Sequence, residues 1–144
     1  MKIISLCIVV NLFFLSTKET KQNYVKVTQE TNLQQSINRG KEIYADMCAT
    51  CHLPNGEGVA KVYPPLAKSD YLMEKREASI RAIKYGLKGK IVVNGVTYKG
   101  MMANLGLYED EVADVMNYIT NSWGNKNPKM VTEKEVKKIQ KKED

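Results

Sequence analysis

Residues 48–52 read CATCH and form a C-x-x-C-H motif, the arrangement in this sequence whose residue types could do chemistry. Two cysteines and a histidine at this spacing can contribute to a zinc site, act as a redox thiol pair, or attach a haem. The motif follows the helical-looking run SINRGKEIYADM and precedes the glycine-containing run LPNGEG. The rest of the chain decides among these three chemistries.

Zinc binding and dithiol chemistry both fit the sequence poorly. A structural zinc site needs four ligands drawn from Cys, His and carboxylates, yet His52 is the only histidine and the third cysteine, Cys7, lies in the apolar N-terminal run. The adjacent Cys51 and His52 also cannot readily point at one tetrahedral ion. A dithiol oxidoreductase carries C-x-x-C at the start of a helix that follows a strand, whereas this motif comes after a helical run.

Covalent haem attachment fits better. In C-x-x-C-H the two cysteine sulfurs form thioethers with the porphyrin, and the adjacent histidine binds the iron. Cys48 and Cys51 are one helical turn apart and can reach the same porphyrin edge. With a single histidine, a sixth iron ligand from this chain is a Met, Lys, Tyr or terminal amine, or else the position is open. Met101 and Met102, a pair in a glycine-flanked loop, are the candidates.

Hydrophobic periodicity predicts a helix that carries the motif at its end. We expect this helix to begin near Gln35 or Ser36. One of its faces holds Ile37, Gly40, Ile43, Tyr44 and Met47. A glycine inside a helix costs about 1 kcal/mol relative to alanine, so Gly40 is expected to allow a close crossing with another helix.

The segments after the motif are predicted to be a loop and a second helical region. Residues 53–70 contain prolines and glycines and are expected to form the loop. Residues 71–86 are expected to be helical, with Ile80, Ala82 and Ile83 inward.

A hairpin and a further helix are predicted toward the C-terminus. The β-branched segment 91–98, centred on Asn94-Gly95, is typical of a hairpin, and residues 98–106 are expected to form an irregular loop. A helix is expected over 109–122, because its acidic first turn and its periodicity are both favourable. Its inward stripe consists of Val112, Val115, Met116 and Ile119.

The chain is predicted to consist of four segments. Residues 1–17 form a short apolar run after a basic residue, which is typical of a signal peptide or an N-terminal anchor and indicates export. Cleavage, retention as an anchor and lipidation at Cys7 are the alternatives for this segment. Residues 18–34 are expected to be a linker, residues 35–127 the functional domain, and residues 128–144 a charged tail that forms a short surface helix or a frayed end.

The charge of the chain excludes one class of partner. The formal net charge is +6 at pH 7, and part of this excess lies in the lysine-rich tail. No stripe of the sequence interleaves aromatic with basic side chains. A nucleic-acid partner is therefore not expected.

Residues 36–124 resemble a class I (mitochondrial-like) cytochrome c of the small bacterial mono-haem kind. The resemblance rests on the stretches RGKEIYADMCATCH, NGEG, YPPLAKSDYL, VNGVTYKGMM and EVADVMNYITNSWGN. It implies an all-α cytochrome c fold, in which a small helical domain with a short β-hairpin wraps around one covalently attached haem c.

The resemblance also assigns roles to the residues of the motif. Cys48 and Cys51 match the haem-linking cysteines, and His52 matches the proximal iron ligand. Pro64 matches the residue whose carbonyl accepts a hydrogen bond from the histidine ring, a bond that fixes the tautomer and makes the histidine a stronger donor.

For the second axial ligand, the resemblance favours Met102. Relatives often carry Y-x-G-x-Met-Pro in this loop, which places the ligand at Met102 and leaves Met101 as the alternative. Ala103 stands here where those relatives have the proline. Because this proline would mark the residue that follows the ligand, its replacement by Ala103 bears on which of the two methionines is the ligand.

Other residues match packing positions of the family. Gly40 and Tyr44 match the positions where the N-terminal helix crosses the C-terminal one near Tyr118. Further residues predicted for the haem pocket or for helix packing are Leu66, Tyr98 and Trp123. Tyr108 stands where relatives commonly have a Ser or Thr helix cap, and Asp110 is expected to replace that cap in part.

The expected function is one-electron transport in an exported respiratory chain of the bacterial periplasm, without enzymatic activity. An iron with both axial positions filled alternates between ferrous and ferric states without binding substrate, and a methionine ligand raises its potential. The expected partners are donor and acceptor proteins, and the N-terminal segment would allow membrane association. Lysines that could border the haem edge and steer docking to an acidic partner are Lys61, Lys68, Lys84, Lys88, Lys90 and Lys99.

Three alternatives to a diffusing carrier follow from the same motif. The first is a haem c subunit of a larger oxidase, reductase or dehydrogenase. The second is a peroxidase-like or gas-binding haem protein with a labile distal ligand, and the third is a structural protein that uses haem only for stability.

Overall fold

The computed structural model describes residues 20–141, with side chains from Asn32 onward. The predicted signal peptide or anchor, residues 1–17, and Cys7 lie outside the described residues. Within residues 20–141, no helix combines the length and the apolar character needed to cross a membrane. The chain divides into two units after Asn32. The described part of the first unit is helical backbone, and the second unit contains every predicted site residue.

Helices dominate the described residues, with one two-stranded antiparallel sheet. The elements in chain order are α1 (Thr20–Met47), α2 (Ala49–His52), α3 (Asp70–Glu74), α4 (Arg76–Tyr85), β1 (Leu87–Val93), β2 (Val96–Met102), α5 (Glu109–Ile119) and α6 (Glu133–Lys138). A helical domain with one short hairpin is the architecture that the sequence predicts.

Helix α1 begins earlier than predicted. It starts at Thr20 instead of near Gln35 or Ser36, so the described part of the predicted linker 18–34 is helical. The scarcity of apolar residues suggested a linker. However, residues 20–34 contain no glycine or proline, and Lys, Gln and Glu are good helix formers. Polar composition therefore did not prevent a helix here.

The region predicted to be helical over 71–86 forms two helices. Lys75, which separates α3 from α4, has a φ of −111° and a ψ of 53° and is not helical. The buried residues of α4 include the predicted Ile80, Ala82 and Ile83. Gly86 ends α4 with a φ of +82°, a conformation that glycine adopts without steric cost.

Helix α5 supplies much of the core. Its predicted inward residues are all buried, namely Val112, Val115, Met116 and Ile119. The helix ends at Ile119, earlier than the predicted Ser122. At its start the Glu111 carboxylate accepts a hydrogen bond from the Tyr108 backbone N–H at 2.8 Å. Glu111 thus makes the half of a capping box that reaches back to the cap N–H, whereas the Asp110 side chain, the expected replacement for the cap, has no hydrogen bond at this helix start.

The hairpin turns at Asn94-Gly95, as predicted, but its second strand is longer than expected. Residues 98–102, predicted to be loop, belong to β2. Gly89 and Gly100 pair with each other across the two strands. These two glycines interrupt the alternation of side chains by which a strand is recognised in sequence.

The C-terminal segment is part of the core instead of a surface tail. Its buried residues are Val131, Val136 and Ile139. The Arg76 guanidinium on α4 forms two hydrogen bonds to the Glu135 carboxylate, at 2.7 and 2.8 Å. The short helix predicted in residues 128–144 is present as α6, but it packs on α4 and α5, so the packed domain continues beyond residue 127.

Candidate functional site

One cavity brings the predicted site residues together between the end of α1, the loop after α2 and the hairpin. Its outer part measures about 460 Å³ and its inner part about 70 Å³. Both parts are lined by Cys48, His52, Pro64 and Met102, and Cys51 lines the outer part. Its walls are largely apolar, as is usual for a cofactor site of this size.

The CATCH residues are held in one turn of backbone. The N–H groups of Cys51 and His52 both donate to the Cys48 carbonyl, at 3.1 and 3.0 Å. The motif therefore ends α1 in a tight local structure, and its geometry depends little on the rest of the chain.

His52 is buried and held in a single orientation. Its Nδ1 lies 2.9 Å from the Pro64 carbonyl oxygen. Since a carbonyl only accepts, Nδ1 carries the proton and Nε2 keeps a free lone pair, which is the form that binds a metal. Burial lowers the pKa of His52, although the bond to Pro64 opposes this. The ring is thus neutral at pH 7, and its Nε2 lone pair is available to bind a metal.

The hairpin separates the two methionines. Alternate residues of a strand face opposite sides, and Met102 is half-buried and lines both parts of the cavity. Met101 borders the cavity opening but is 76% exposed. Met102 is positioned by its pairing with Leu87 at the start of β1. Of the two methionines, it is therefore Met102 whose side chain faces the cavity and packs against the core.

The remaining predicted residues fall into two groups. Tyr44, Leu66 and Tyr98 line the cavity, whereas Tyr118 and Trp123 do not. The Tyr44 ring contacts both of the latter, with centroids 5.4 Å from Tyr118 and 4.9 Å from Trp123. This aromatic cluster joins α1 to the end of α5.

Helix α1 crosses α5 at Gly40, as expected from the sequence. A Cβ on Gly40 would overlap the Asp114 carbonyl and lie 2.9 Å from Tyr118 Cβ. Only a glycine allows this approach of the two backbones. Met47, predicted on the same buried face, is instead 43% exposed at the mouth of the cavity, because α1 ends there.

Some cavity residues were missed in the sequence. The inner part is also lined by Ser69, Tyr71, Ser79, Ile91 and Val93. A usable signal existed for Ser79 alone: it lies one and four positions before Ile80 and Ile83, so it shares the inward face of α4. The strand residues could not be placed without knowing the register of the hairpin.

The geometry weighs against zinc and against a reactive thiol pair. Among residues 20–141, no three or more His, Cys, Asp or Glu side chains are grouped to hold a metal ion. Burial, together with the nearby Cys51, raises the pKa of Cys48 to about 11. Reactive dithiols have a lowered thiol pKa, so Cys48 lies at the opposite extreme.

Two of the six lysines suggested for docking border the cavity opening, namely Lys61 and Lys99. The prediction is wrong for Lys84, whose ammonium donates to the Val136 carbonyl at 3.0 Å and lies 3.5 Å from the Glu109 carboxylate. The suggested lysines outside the lining of this cavity are Lys68, Lys88 and Lys90.

Comparisons with known proteins agree with this geometry. The family model described as Cytochrome c matches residues 37–123. The chain is 40% identical over 109 residues to cytochrome c-552 of Thermus thermophilus, covering 69% of this chain and 82% of that protein. It is 34% identical over 104 residues to the cytochrome c subunit of alcohol dehydrogenase (quinone) of Gluconacetobacter polyoxogenes, covering 69% of this chain and 22% of that subunit. It is also 33% identical over 109 residues to the gluconate 2-dehydrogenase cytochrome c subunit of Pantoea cypripedii, covering 72% and 24%.

Proposed function

The chain belongs to the cytochrome c family, and on this basis we propose that it carries single electrons on one haem c linked to Cys48 and Cys51 and ligated by His52 and Met102. Electron transfer through a covalently attached haem c is its activity, and the protein is not itself an enzyme. The observation that carries the proposed ligand set is the single cavity lined by all four side chains.

The residues of the motif fit covalent attachment of a haem. When bound, haem c supplies a one-electron couple at its iron. Cys48 and Cys51 present their sulfurs from one backbone turn, and His52 offers Nε2 because Nδ1–H is held by the Pro64 carbonyl. This outer bond orients the ring and strengthens the histidine as a donor.

Met102 supports the proposal from the hairpin side. A thioether ligand favours reduced iron and raises the potential, which suits passage of electrons to a terminal acceptor. If His52 and Met102 both bound the iron, no position on it would be left for a substrate. The apolar lining limits access of water, so little rearranges when an electron is transferred.

The opening of the cavity is the proposed docking surface for redox partners. Exposed apolar side chains border it, namely Met47, Val62, Tyr63 and Met101. Lys61 and Lys99 lie at the same opening and would attract an acidic partner, with association rates that fall as salt rises. The docking surface is thus proposed to be apolar at its centre with two positive charges.

A bacterial periplasmic location is the proposed setting. The apolar run in residues 1–17 supports export, with the segment either removed or kept as a membrane anchor.

A second candidate is a haem c subunit of a larger dehydrogenase. It is supported by the similarity to the cytochrome c subunits of two dehydrogenases, although the chain spans less than a quarter of their length. Extraction of membranes after a salt wash separates the candidates: a carrier is released alone, whereas a subunit stays with its complex.

The ligand set is tested by expressing the full chain in a periplasm that attaches haem. Intact mass should show one added haem, and optical redox titration should show one reversible couple. Cys48→Ala combined with Cys51→Ala should abolish the added mass. No added haem in the unmodified protein would overturn the proposal.

Met102 and Met101 form a matched pair for testing the second ligand. Met102→Ala should remove the near-infrared band of thioether–iron ligation and lower the midpoint potential, since the thioether no longer favours reduced iron. Met101→Ala should keep both, because its side chain is solvent-exposed. The opposite result would assign the ligand to Met101.

A further inference from the structure

Ser79 on α4 has a buried hydroxyl without a hydrogen-bond partner. The residue is 6% exposed, and among the side chains that the structure describes, its Oγ is the only buried polar atom without a partner in the chain. Leaving such a group unpaired is unfavourable, because the hydroxyl loses its hydrogen bonds to water and gains none in the chain. A partner that is not part of the chain would remove this cost.

Other buried hydroxyls on or beside the helices have partners within the chain: Ser36 on α1, for example, donates to the Asp114 carboxylate at 2.6 Å. Thr120 and Ser122, which follow the last residue of α5, each donate to the carbonyl four positions earlier, at 2.6 and 2.7 Å. The equivalent carbonyl for Ser79 belongs to Lys75 and accepts the Ser79 backbone N–H at 2.9 Å, but not its hydroxyl. The common local solution is therefore not used at this position.

Ser79 lines the inner part of the cavity that also contains His52 and Met102. The hydroxyl-bearing residues of this lining are Tyr44, Ser69, Tyr71 and Ser79. The Tyr44 hydroxyl already donates to the Leu53 carbonyl at 2.6 Å, and Ser69 Oγ accepts the N–H at the start of α3 at 3.1 Å. Ser69, Tyr71 and Ser79 therefore each keep an O–H to donate, and among them Ser79 alone is buried without any hydrogen bond.

The chemistry of haem limits what these donors can meet. The porphyrin is apolar, and its hydrogen-bond acceptors are its two propionate carboxylates. Burial raises the pKa of Tyr71, while the nearby Arg81, whose guanidinium is already paired with the Glu77 carboxylate, opposes this effect. A carboxylate removed from water needs both hydrogen bonds and a nearby positive charge.

We propose that the Ser79 hydroxyl donates a hydrogen bond to one propionate carboxylate of the haem, with the Tyr71 hydroxyl as a second donor. The proposal rests on the proposed haem site. Ser79 is a positioning residue in this scheme: it holds one edge of the haem and takes no part in electron transfer.

The test compares Ser79→Ala with the unmodified protein, both as full chains carrying haem. Redox-induced infrared difference spectra, with haem labelled with carbon-13 at its carboxylates, should show a shift in the bands of one propionate. The unfolding equilibrium constant of the haem-loaded variant should rise by roughly tenfold or more, because a bond to a charged acceptor is lost. Ser79→Thr, which keeps the hydroxyl, should retain the infrared bands.

The controls separate this proposal from the one on which it rests. Ser122→Ala removes a hydroxyl bonded within its own backbone and should leave the carboxylate bands unchanged. Unshifted bands together with equal or greater stability for Ser79→Ala would overturn the proposal, since removing an unpaired buried hydroxyl is not costly. A shift of the near-infrared thioether band alone would also overturn it and place the acceptor at Met102. The haem site itself is tested separately, by the intact mass and the redox couple of the unmodified protein. If both are as expected, a negative result for Ser79→Ala counts against this proposal alone.

Discussion

The two walls of the cavity are held in place by different means. The His52 wall is the end of α1, and α1 is tied to α5 by the Arg39–Asp114 ion pair at 2.5 Å and by a Ser36–Asp114 hydrogen bond at 2.6 Å. The Met102 wall is the end of a two-stranded hairpin, and no hydrogen bond of the Met102 side chain is present there. One wall is fixed by helix crossing and the other by strand pairing.

The glycines of the two walls show the difference in packing. On the His52 side, a Cβ on Gly40 or Gly58 would come closer than 3 Å to backbone atoms. On the hairpin side, a Cβ on Gly100 would have only one neighbour, at 3.8 Å, and one on Gly106 would have none within 4 Å. Gly86 is the exception, because its Cβ would lie 2.7 Å from the Met102 carbonyl. At these glycines the His52 wall has no space for a side chain, whereas the hairpin wall has space at Gly100 and Gly106 but not at Gly86, where the hairpin begins.

The largest expected effect is the loss of the α1–α5 crossing in Gly40→Ala. The added Cβ would overlap the Asp114 carbonyl, so the helices must separate, and the free energy of unfolding should fall by about 3 kcal/mol. Helix propensity alone favours alanine over glycine and would stabilise the variant. A fall in the free energy of unfolding would therefore be due to the blocked crossing. Chemical denaturation of the haem-loaded protein measures this change.

Gly100→Ala is the matched control for Gly40→Ala on the hairpin wall. Its backbone is not in the left-handed region and its Cβ would be nearly free of contacts, so the free energy of unfolding should change by less than about 1 kcal/mol. Equal losses in the two variants would contradict the difference between the walls.

A smaller and more local effect is expected from Gly58→Ala. The new Cβ would lie 2.5 Å from the Tyr63 carbonyl oxygen and 2.7 Å from the Pro64 carbonyl oxygen, and the latter accepts the His52 hydrogen bond. Displacement of this carbonyl weakens the histidine as a donor, so the midpoint potential should rise. Optical redox titration measures the shift.

Gly106→Ala provides a control with the same backbone strain. Gly58 and Gly106 have φ values of +64° and +72°, and each substitution costs about 1–2 kcal/mol for that reason alone. Only Gly58→Ala meets the Pro64 carbonyl. A potential that changes equally in both variants would show that strain, and not the His52 bond, sets the effect.

The sequence predicts the elements of the His52 wall better than those of the hairpin wall. The CATCH turn and the α5 stripe were predicted because both depend on residues close together in sequence. The extent of β2 was missed because Gly89 and Gly100 interrupt its alternation, and a strand end is decided by its partner. The burial of Val131 was missed because it depends on the surface of α5, to which the sequence of the tail gives no direct clue.

The position of Ser79 shows a further limit of sequence reasoning. Its place on the inward face of α4 could be read from periodicity, but the direction of its hydroxyl could not. A serine in or near a helix can bond to the carbonyl four positions earlier, as Ser122 does just after α5, or to a side chain of another helix, as Ser36 does. The exception became visible only from the hydrogen bonds around it.

The smallest expected effect concerns the support of α4 by the C-terminal segment. The hydrogen bonds from Arg76 hold the pKa of Glu135 below its ordinary value. A lowered carboxyl pKa adds stability above the ordinary value, and this stability is lost as pH falls through the lowered one. Glu135→Gln should therefore cost about 1 kcal/mol or less at pH 7, since the pair is partly exposed.

The difference between Glu135→Gln and the unmodified protein should disappear at a pH below the lowered pKa of Glu135, because the wild-type carboxyl is then neutral too. Thermal unfolding across acidic and neutral pH measures this. Glu133→Gln is the matched control, because its pair with Lys137 lies on the exposed surface and should contribute nothing measurable. The near-infrared thioether band should stay unchanged in both variants, since the hairpin contacts of Met102 are untouched. Loss of that band in Glu135→Gln would mean that the Met102 wall is held by the C-terminal segment through α4 as well as by strand pairing.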